Sequence, residues 1–329
     1  MREDILISVV TLVSGFASIL GGVALILSHI FVRRLYFVRV LLICLTFADI
    51  LQASGAVLGT TNYLTLSEQK RKDSNSFCVV QSFITTFSSV SSFIWTTVIT
   101  IHLFYCFMKQ ISETKNYTIF LYHVAGWLVP AFISVVALES DKLGRGTFNS
   151  GAKDHDPGMI SSGQWCWVKV NATEITSTDI AFMFLAGKGW EFATYLIAGA
   201  FYIILMVNNY LRRRREDPSL WNSDIVRADD ERFCYTPFIL YLLRIWGSTR
   251  FIFTIIGAYK NQTVDKVDSV LVYFHCIGDS SQAFANFLLF CVFDKDFRKE
   301  IYRGCNSRNN NEEGTPLLSC EDQEDETNI

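Results

Sequence analysis

Charged side chains are scarce in this 329-residue chain, since Asp, Glu, Lys and Arg make up 19% of it while 50% of the residues are hydrophobic. That composition excludes an ordinary soluble domain of this length. Neither sign of charge is in large excess, and a formal net charge of -3 provides no field that would attract nucleic acid. HExxH, GxSxG and a nucleotide-binding loop are also missing, so we expect no enzyme, no metal site and no cofactor.

Long apolar runs fill most of the chain. A bilayer core of about 30 Å needs roughly 20 apolar helical residues, and seven runs are long enough. The first run exceeds the roughly 7 to 15 apolar residues of a signal peptide, so we expect it to remain as an anchor. The predicted fold is all-α, a seven-transmembrane helix bundle. The predicted spans are about 5–30, 38–64, 78–107, 117–138, 180–211, 233–257 and 269–293.

The segment after the last span is amphipathic. Phe293, Phe297 and Ile301 recur every four residues while basic residues take the other face. This pattern predicts a short juxtamembrane helix over 294–305 that lies on the inner leaflet. Cys305 continues the apolar stripe and is either S-palmitoylated or an unmodified cysteine.

The C-terminal segment has a different composition from the rest of the chain. Residues 306–329 contain one basic residue and seven acidic ones, which predicts a disordered acidic tail. The chain is thus divided into a membrane domain, 1–305, and a cytoplasmic tail.

Basic residues and sequons predict the orientation of the bundle. Lys and Arg are moderately more frequent in the segments that face the cytoplasm when the N-terminus is outside. Two glycosylation sequons, at Asn171 and Asn261, then lie outside, whereas Asn116 faces the cytoplasm and should stay bare. We expect a multi-pass plasma-membrane protein with its N-terminus outside and its C-terminus in the cytoplasm.

The nine cysteines form an odd set, so they cannot all pair within the chain. Cys78 opens the third span at its outer edge, and Cys166 is the single cysteine of the long second outer loop. A disulfide between them would persist outside the cell and would tie this loop over the mouth of the bundle. The alternative is two free thiols.

Several polar residues fall inside the spans, where a charge costs about 2.5 to 3.5 kcal/mol and therefore needs a partner. Their depth, at 1.5 Å per residue, divides them into two groups. The outer group, with charges roughly 9 to 17 Å below the outer surface, is a candidate ligand pocket of Lys188, Trp190, Glu191, Trp246, Arg250, His275 and Asp279. The deeper group is a candidate switch network of Asp49, Arg244 and Asn286.

Two ion pairs are expected among these residues. Lys188 and Glu191 stand at i and i+3, so they share one helical face. The pair either contacts a ligand or merely neutralises itself so that the span can insert. Arg244 and Asp279 are candidates for an ion pair between the sixth and seventh spans.

Short blocks in the spans carry a family resemblance, together with Trp127 in the fourth span. The blocks are Leu45-Thr46-Phe47-Ala48-Asp49, Ser91-Ser92-Phe93-Ile94-Trp95-Thr96, Trp165-Cys166-Trp167, Gly187-Lys188-Gly189-Trp190-Glu191, Leu243-Arg244-Ile245-Trp246, Arg250-Phe251, His275-Cys276-Ile277-Gly278 and Ala285-Asn286. Over about residues 5–305 the chain resembles an orphan branch of the cyclic-AMP-receptor-like group of G-protein-coupled receptors. The rhodopsin-like ionic lock does not carry over, because the third span ends without an acidic-arginine pair.

The resemblance implies a receptor that passes an extracellular stimulus to a heterotrimeric G protein, and it leaves the extracellular ligand unknown. The expected G-protein contacts are the basic residues at the inner ends of the spans, Arg39, Lys109, Arg212, Arg213, Arg214 and Arg215. The alternative for the arginine run is inside-positive anchoring. The rival function is a multi-span transporter, since charges within the membrane also suit solute pathways.

Overall fold

The structure, a computed structural model, describes residues 2–31, 37–65, 75–109, 116–144, 165–169, 176–214, 235–256, 262–293 and residue 298. Within these ranges the chain forms seven helical units and one two-stranded sheet. In chain order these are α1 (Arg2–Phe31), α2 (Phe37–Thr65), α3 (Asn75–Lys109), α4 (Asn116–Glu139), β1 (Leu143–Gly144), β2 (Trp167–Val168), α5 (177–214), α6 (Thr236–Ile255) and α7 (262–292). The seven-helix prediction is confirmed.

The helices pack in a closed ring. Along the chain each helix packs against the next from α1 to α4, α3 also packs against α5, α5 against α6, and α6 against α7, which returns to α1. Large apolar side chains such as Val13, Phe16 and Leu20 of α1 remain exposed on the outside of the ring, as lipid contact requires. Among the described residues, five helices are long and apolar enough to cross a membrane: Ile5–Ile30, Phe37–Thr65, Ser76–Tyr105, Asn116–Glu139 and Thr236–Ile255.

The other two units, α5 and α7, are less apolar than these five, and both are irregular. A π turn at Phe184–Lys188 divides α5, and Gly187 within it leaves helical geometry. The second irregular unit, α7, is interrupted at Ser281 and ends in a π turn at Leu288–Val292. A third π turn lies within α4. Such turns widen the helix locally and are frequent at functional sites.

Glycines set the closest approach between α6 and α7. A Cβ at Gly278 would collide with the backbone carbonyl of Leu243, and one at Gly247 would reach within 2.7 Å of the His275 ring. The two backbones are therefore in near contact at the depth where the polar side chains meet.

The loop between α4 and α5, predicted to be the second outer loop, is tied to the bundle. Cys78 of α3 and Cys166 form the expected disulfide, with their Cα atoms 5.5 Å apart. The backbone N–H of Cys166 also donates to Gln81 Oε1 at 3.0 Å. Beside the disulfide, β2 pairs with β1 in antiparallel register. These contacts hold the described part of the loop across the outer end of α3.

Several predictions fall outside the described residues and stay predictions. They concern the acidic tail 306–329, the juxtamembrane helix apart from residue 298, and the side chains of Lys109, Arg212, Arg213, Arg214, Arg215, Asn171, Asn261 and Cys305.

Candidate functional site

Arg250 is one of two buried arginines of α6, and only 4% of its surface is exposed. Its Nε and Nη2 donate to the two carboxylate oxygens of Asp268 on α7, at 2.8 and 3.0 Å. The third side of the guanidinium, Nη1, lies 3.0 Å from Nδ1 of His275. Parallel hydrogen bonds of this kind combine charge with a fixed planar geometry. Arg250 is thus held by two residues of α7 on opposite edges of its plane.

The contact with Arg250 determines the tautomer of His275. A guanidinium has only donors, so Nδ1 of His275 must accept a hydrogen bond from Arg250. The ring proton is then on Nε2, which lies 3.2 Å from Oδ2 of Asp279 and donates to it. His275 therefore transmits a directed hydrogen bond from α6 to the carboxylate one turn further along α7.

Asp279 connects this outer chain to the middle of the bundle. Its Oδ1 lies 3.2 Å from Nη1 of Arg244, the ion pair expected between α6 and α7. Arg244 Nη2 also donates to Gln52 Oε1 at 2.5 Å, and Gln52 Nε2 donates to the backbone carbonyl of Asp279 at 3.2 Å. Gln52 belongs to α2, so the chain of contacts spans α6, α7 and α2. We call the series Arg250, His275, Asp279, Arg244 and Gln52 the polar relay.

A third ion pair lies within α5 and is bonded to α6. Lys188 Nζ donates to Glu191 Oε2 at 2.8 Å, and both side chains are buried. The other carboxylate oxygen of Glu191 accepts hydrogen bonds from Tyr195, at 2.9 Å, and from Ser248 of α6. The two charges neutralise each other, as one of the two interpretations of this pair predicted. The Glu191 carboxylate also binds the neighbouring helix α6.

The charges of the site balance within the described residues. Three cations, Lys188, Arg244 and Arg250, each pair with one carboxylate: Glu191, Asp279 and Asp268, respectively. Removing one member of a buried pair leaves an uncompensated charge, which costs about 3 to 5 kcal/mol. A ligand therefore has to exchange with an existing partner.

The tied outer loop covers this cluster. Trp165, adjacent to the disulfide, places its ring edge-on against His275 with the centroids 6.1 Å apart. Below it, Trp167 lies 3.2 Å from the position of a Cβ at Gly187, in the π turn of α5. The loop therefore contacts α7 and α5, two of the three helices that carry the ion pairs.

Two of the seven predicted pocket residues lie apart from these contacts. Trp190 donates its indole N–H to the backbone carbonyl of Leu185 at 3.0 Å, within α5. Trp246 packs against Phe274, with the ring centroids 4.9 Å apart. The other five, Lys188, Glu191, Arg250, His275 and Asp279, take part in the ion pairs and hydrogen bonds described above.

The deeper polar group centres on Asp49 of α2. Its two oxygens accept hydrogen bonds from Ser92 of α3 at 2.6 Å and from Asn286 of α7 at 3.1 Å. Arg244, expected in this group, bonds instead to Asp279 and Gln52, and its guanidinium lies 5.2 Å from the ring centre of Phe93. Because Gln52 is one turn from Asp49 on α2, the outer and deeper groups meet there.

Sequence reasoning missed several partners, above all Asp268. A detectable signal existed, because Asp268 precedes His275 by seven residues and Asp279 by eleven, which places the three on one helical face. Gln52, three residues after Asp49, follows the same rule. Ser92, Tyr195 and Ser248 carry no such signal, since lone hydroxyls are common in membrane helices.

A further ion pair lies outside the membrane, at the start of α5. Lys142 Nζ is 2.9 Å from Oδ1 of Asp179, and Thr176 and Asp179 form a reciprocal capping box. Burial raises the pKa of Asp179, but the hydrogen bonds from Lys142 and Thr176 outweigh it and hold the pKa below its usual value. The carboxylate therefore stays charged and fixes the loop to α5.

A closed seven-helix membrane bundle, with a disulfide-tied outer loop above a charge-balanced polar cluster, has the architecture of a seven-transmembrane receptor. The family model described as 7 transmembrane receptor (Secretin family) matches residues 4–186, more than half of the chain, and the chain belongs to this family. It is therefore a receptor of the G-protein-coupled type, and the transporter alternative is not favoured.

Similar proteins include three named G-protein coupled receptor 157. The Mus musculus protein is 28% identical over 308 residues, which cover 90% of this chain and 84% of the relative. The Rattus norvegicus protein is 27% identical over 308 residues, with the same coverage of both chains. The Homo sapiens protein is 27% identical over 307 residues, which cover 90% of this chain and 83% of the relative. These relatives confirm the expected orphan branch, while the wider cyclic-AMP-receptor-like grouping stays a prediction.

Proposed function

We propose that the receptor lies in the plasma membrane with its N-terminus outside, and that an extracellular ligand acts on the polar relay to activate a heterotrimeric G protein. The observation that carries the proposal is the continuity of the relay. It begins at Arg250, below the loop residue Trp165, and reaches Gln52 of α2 without leaving the bundle. A change at the outer end is thus communicated to three helices.

In the proposed mechanism the relay has two arrangements, in which its members have different partners but the charges remain balanced. A ligand shifts the population of two states only by its difference in affinity between them. Binding that alters the Arg250 contacts changes the hydrogen bond that His275 donates to Asp279. Asp279 also holds Arg244, so the register of α6 against α7 responds. The Asp49 group on α2, α3 and α7 would then settle into a new arrangement.

The inner ends of the helices form the proposed contact surface for the G protein. It consists of Arg39, Lys109, Arg212, Arg213, Arg214 and Arg215. Arg39 is buried, with 6% of its surface exposed, so its contact with a partner requires the inner end of the bundle to open. Opening of this kind is what an agonist would stabilise.

The remaining features complete the proposal. Residues 1–305 are the receptor domain and 306–329 the cytoplasmic tail. Asn171 and Asn261 are glycosylation sites on the outside, and Cys305 is a palmitoylation site on the inner leaflet. The proposed receptor uses no cofactor and carries out no reaction of its own.

Guanine-nucleotide exchange on purified G-protein subtypes tests the function before any agonist is known. The receptor, reconstituted in lipid, is expected to accelerate exchange on at least one subtype above the rate in empty lipid. Substituting the run Arg212, Arg213, Arg214 and Arg215 should lower that rate at matched receptor amounts. Exchange on every subtype at the rate of empty lipid would contradict G-protein coupling.

Protease treatment of intact cells tests the orientation. An epitope placed after Ile329 should survive and an epitope before Met1 should be removed. The reverse pattern would place the relay's outer end in the cytoplasm and overturn the proposal.

A further inference from the structure

The contact between Arg250 and Asp268 has the geometry of a carboxylate-binding site. A side chain of the receptor itself, that of Asp268, occupies this site. Both Asp268 oxygens are bonded, at 2.8 and 3.0 Å, to adjacent nitrogens of one guanidinium. Only 5% of the Arg250 side chain is exposed, whereas 16% of the Asp268 side chain remains exposed. The Asp268 carboxylate is therefore more accessible than the nearly enclosed Arg250 side chain that it contacts.

The arginine keeps its orientation without Asp268. His275 accepts a hydrogen bond from Nη1, on the edge of the guanidinium away from the aspartate, and is itself bonded to Asp279. Two donors, Nε and Nη2, would then point at whichever group replaces the aspartate. A preformed pair of parallel donors selects a planar acceptor with two oxygens.

Asp268 is the carboxylate of the three ion pairs best placed to leave. It stands six residues after the first residue of α7, about 9 Å along the helix, whereas Asp279 is about 25 Å along it. The neighbouring side chains Val267 and Val270 are exposed. Glu191 is instead fully enclosed, with Lys188, Tyr195 and Ser248 bonded to it. An aspartate near the outer end can turn into water, where its charge costs little.

Charge balance limits what can enter. Exchanging one carboxylate for another leaves the charge of the bundle unchanged, and no buried ion loses its partner. A neutral molecule would leave Arg250 uncompensated, and a phosphate dianion would add a negative charge beside Asp279. A single carboxylate meets both conditions.

We propose that Arg250 binds the carboxylate group of an extracellular small-molecule ligand, and that Asp268 occupies this site in the unliganded receptor as an internal substitute. The inference rests on the proposed function in placing the start of α7 outside the cell. Displacing Asp268 removes one contact between α6 and α7, and the two helices then remain connected through the polar relay. Ligand binding is thereby converted into a change between these two helices.

Acetate, a carboxylate group that carries only a methyl group, is the probe. In purified receptor with Asp268→Ala, sodium acetate should raise the unfolding temperature by about 2 to 4 °C in a saturable way, relative to sodium chloride at the same ionic strength. The double variant Arg250→Gln, Asp268→Ala should show no such rise, and the unsubstituted receptor should need higher acetate concentrations. An equal response of single and double variants, or none in either, would overturn the site.

Inorganic phosphate is the second arm of the experiment. A larger rise in unfolding temperature with acetate than with phosphate supports a carboxylate ligand. A larger rise with phosphate would overturn the choice of ligand class. If Asp268→Ala does not fold, Asp268→Asn keeps the size of the side chain while removing its charge. This variant should respond at lower acetate concentrations than the unsubstituted receptor, and equal sensitivity would count against the inference. Because unfolding is measured without a G protein, failure here is distinguishable from failure of nucleotide exchange.

Discussion

Arg244 of α6 and Asp279 of α7 form an ion pair in the interior of the bundle, with Nη1 and Oδ1 3.2 Å apart. Their side chains are 3% and 17% exposed, so water offers little compensation to a partner left alone. The pair is the point at which the ligand site and the deeper hydrogen bonds meet, and it is open to a direct energetic test.

Arg244→Met should lower the free energy of unfolding by about 3 to 5 kcal/mol, because Asp279 is left as an unpaired buried charge. Adding Asp279→Asn removes that charge and keeps an acceptor for His275, so the double variant should be more stable than the single one. Thermal unfolding of the purified variants measures the coupling. Losses that simply add would show that the two residues do not interact.

The hydrogen bond from Ser92 to Asp49 is tested by comparing two adjacent serines. Ser92→Ala should cost about 1 to 3 kcal/mol, because a buried carboxyl oxygen of Asp49 loses its hydrogen-bond donor. Ser91 is equally buried, and its hydroxyl has no hydrogen-bond partner among the described residues. Ser91→Ala should therefore change the unfolding temperature little. Equal losses in both variants would indicate that packing, not the bond to Asp49, is responsible.

The pair of Lys142 and Asp179 predicts acid sensitivity. Because the folded state holds the pKa of Asp179 below the value of about 3.9 in an unfolded chain, its contribution to stability is complete above that value and disappears as the pH falls below about 4. The unfolding free energy of the receptor should thus decrease more steeply between about pH 5 and pH 3 than that of Asp179→Asn.

The control for this prediction is Asp141→Asn. Asp141 is fully exposed, and the hydrogen bond from Lys169 lowers its pKa at the protein surface. Asparagine also tolerates the positive φ of 51° at this position. Its acid profile should stay close to that of the unsubstituted receptor, and a change as large as for Asp179→Asn would argue against a specific role of the capped pair.

Gly278→Ala tests the contact between α6 and α7. The added methyl group would meet the backbone carbonyl of Leu243, which cannot rotate away, so we expect a loss of about 3 kcal/mol or more in unfolding free energy. At Gly199 of α5, no atom of the described residues beyond its own turn of helix lies within 4 Å of the Cβ position, and Gly199→Ala should be neutral or slightly stabilising. A stable Gly278→Ala receptor would mean that the two helices separate easily.

The sequence predicted the helices well because the bilayer imposes a length that hydropathy records. The fourth span, expected at 117–138, is Asn116–Glu139. The seventh was expected from 269 but begins at Gln262, because Asp265, Lys266 and Asp268 interrupt the apolar run without ending the helix. The misplaced start explains why Asp268 was overlooked.

The site was only partly predictable, because sequence gives the depth of a residue in a span but not the direction of its side chain. The ion pair of Arg244 and Asp279 followed from the need to neutralise buried charge. Trp190 was expected beside Lys188 and Glu191, yet its indole bonds back to Leu185 in α5. The π turn at Phe184–Lys188 contains Leu185 and precedes Trp190. It changes the angular position of the residues that follow it in α5, and hydropathy does not report such turns.

The π turn at Phe184–Lys188 separates α5 into two helical parts. Because Gly187 in this turn does not follow helical geometry, a change in its backbone angles would reorient one part of α5 relative to the other. Glu191 lies just beyond the turn and is bonded to Ser248 of α6. A change at this kink would therefore move the Glu191 carboxylate relative to Ser248, which makes Gly187 the place where the shape of α5 and its bond to α6 are connected.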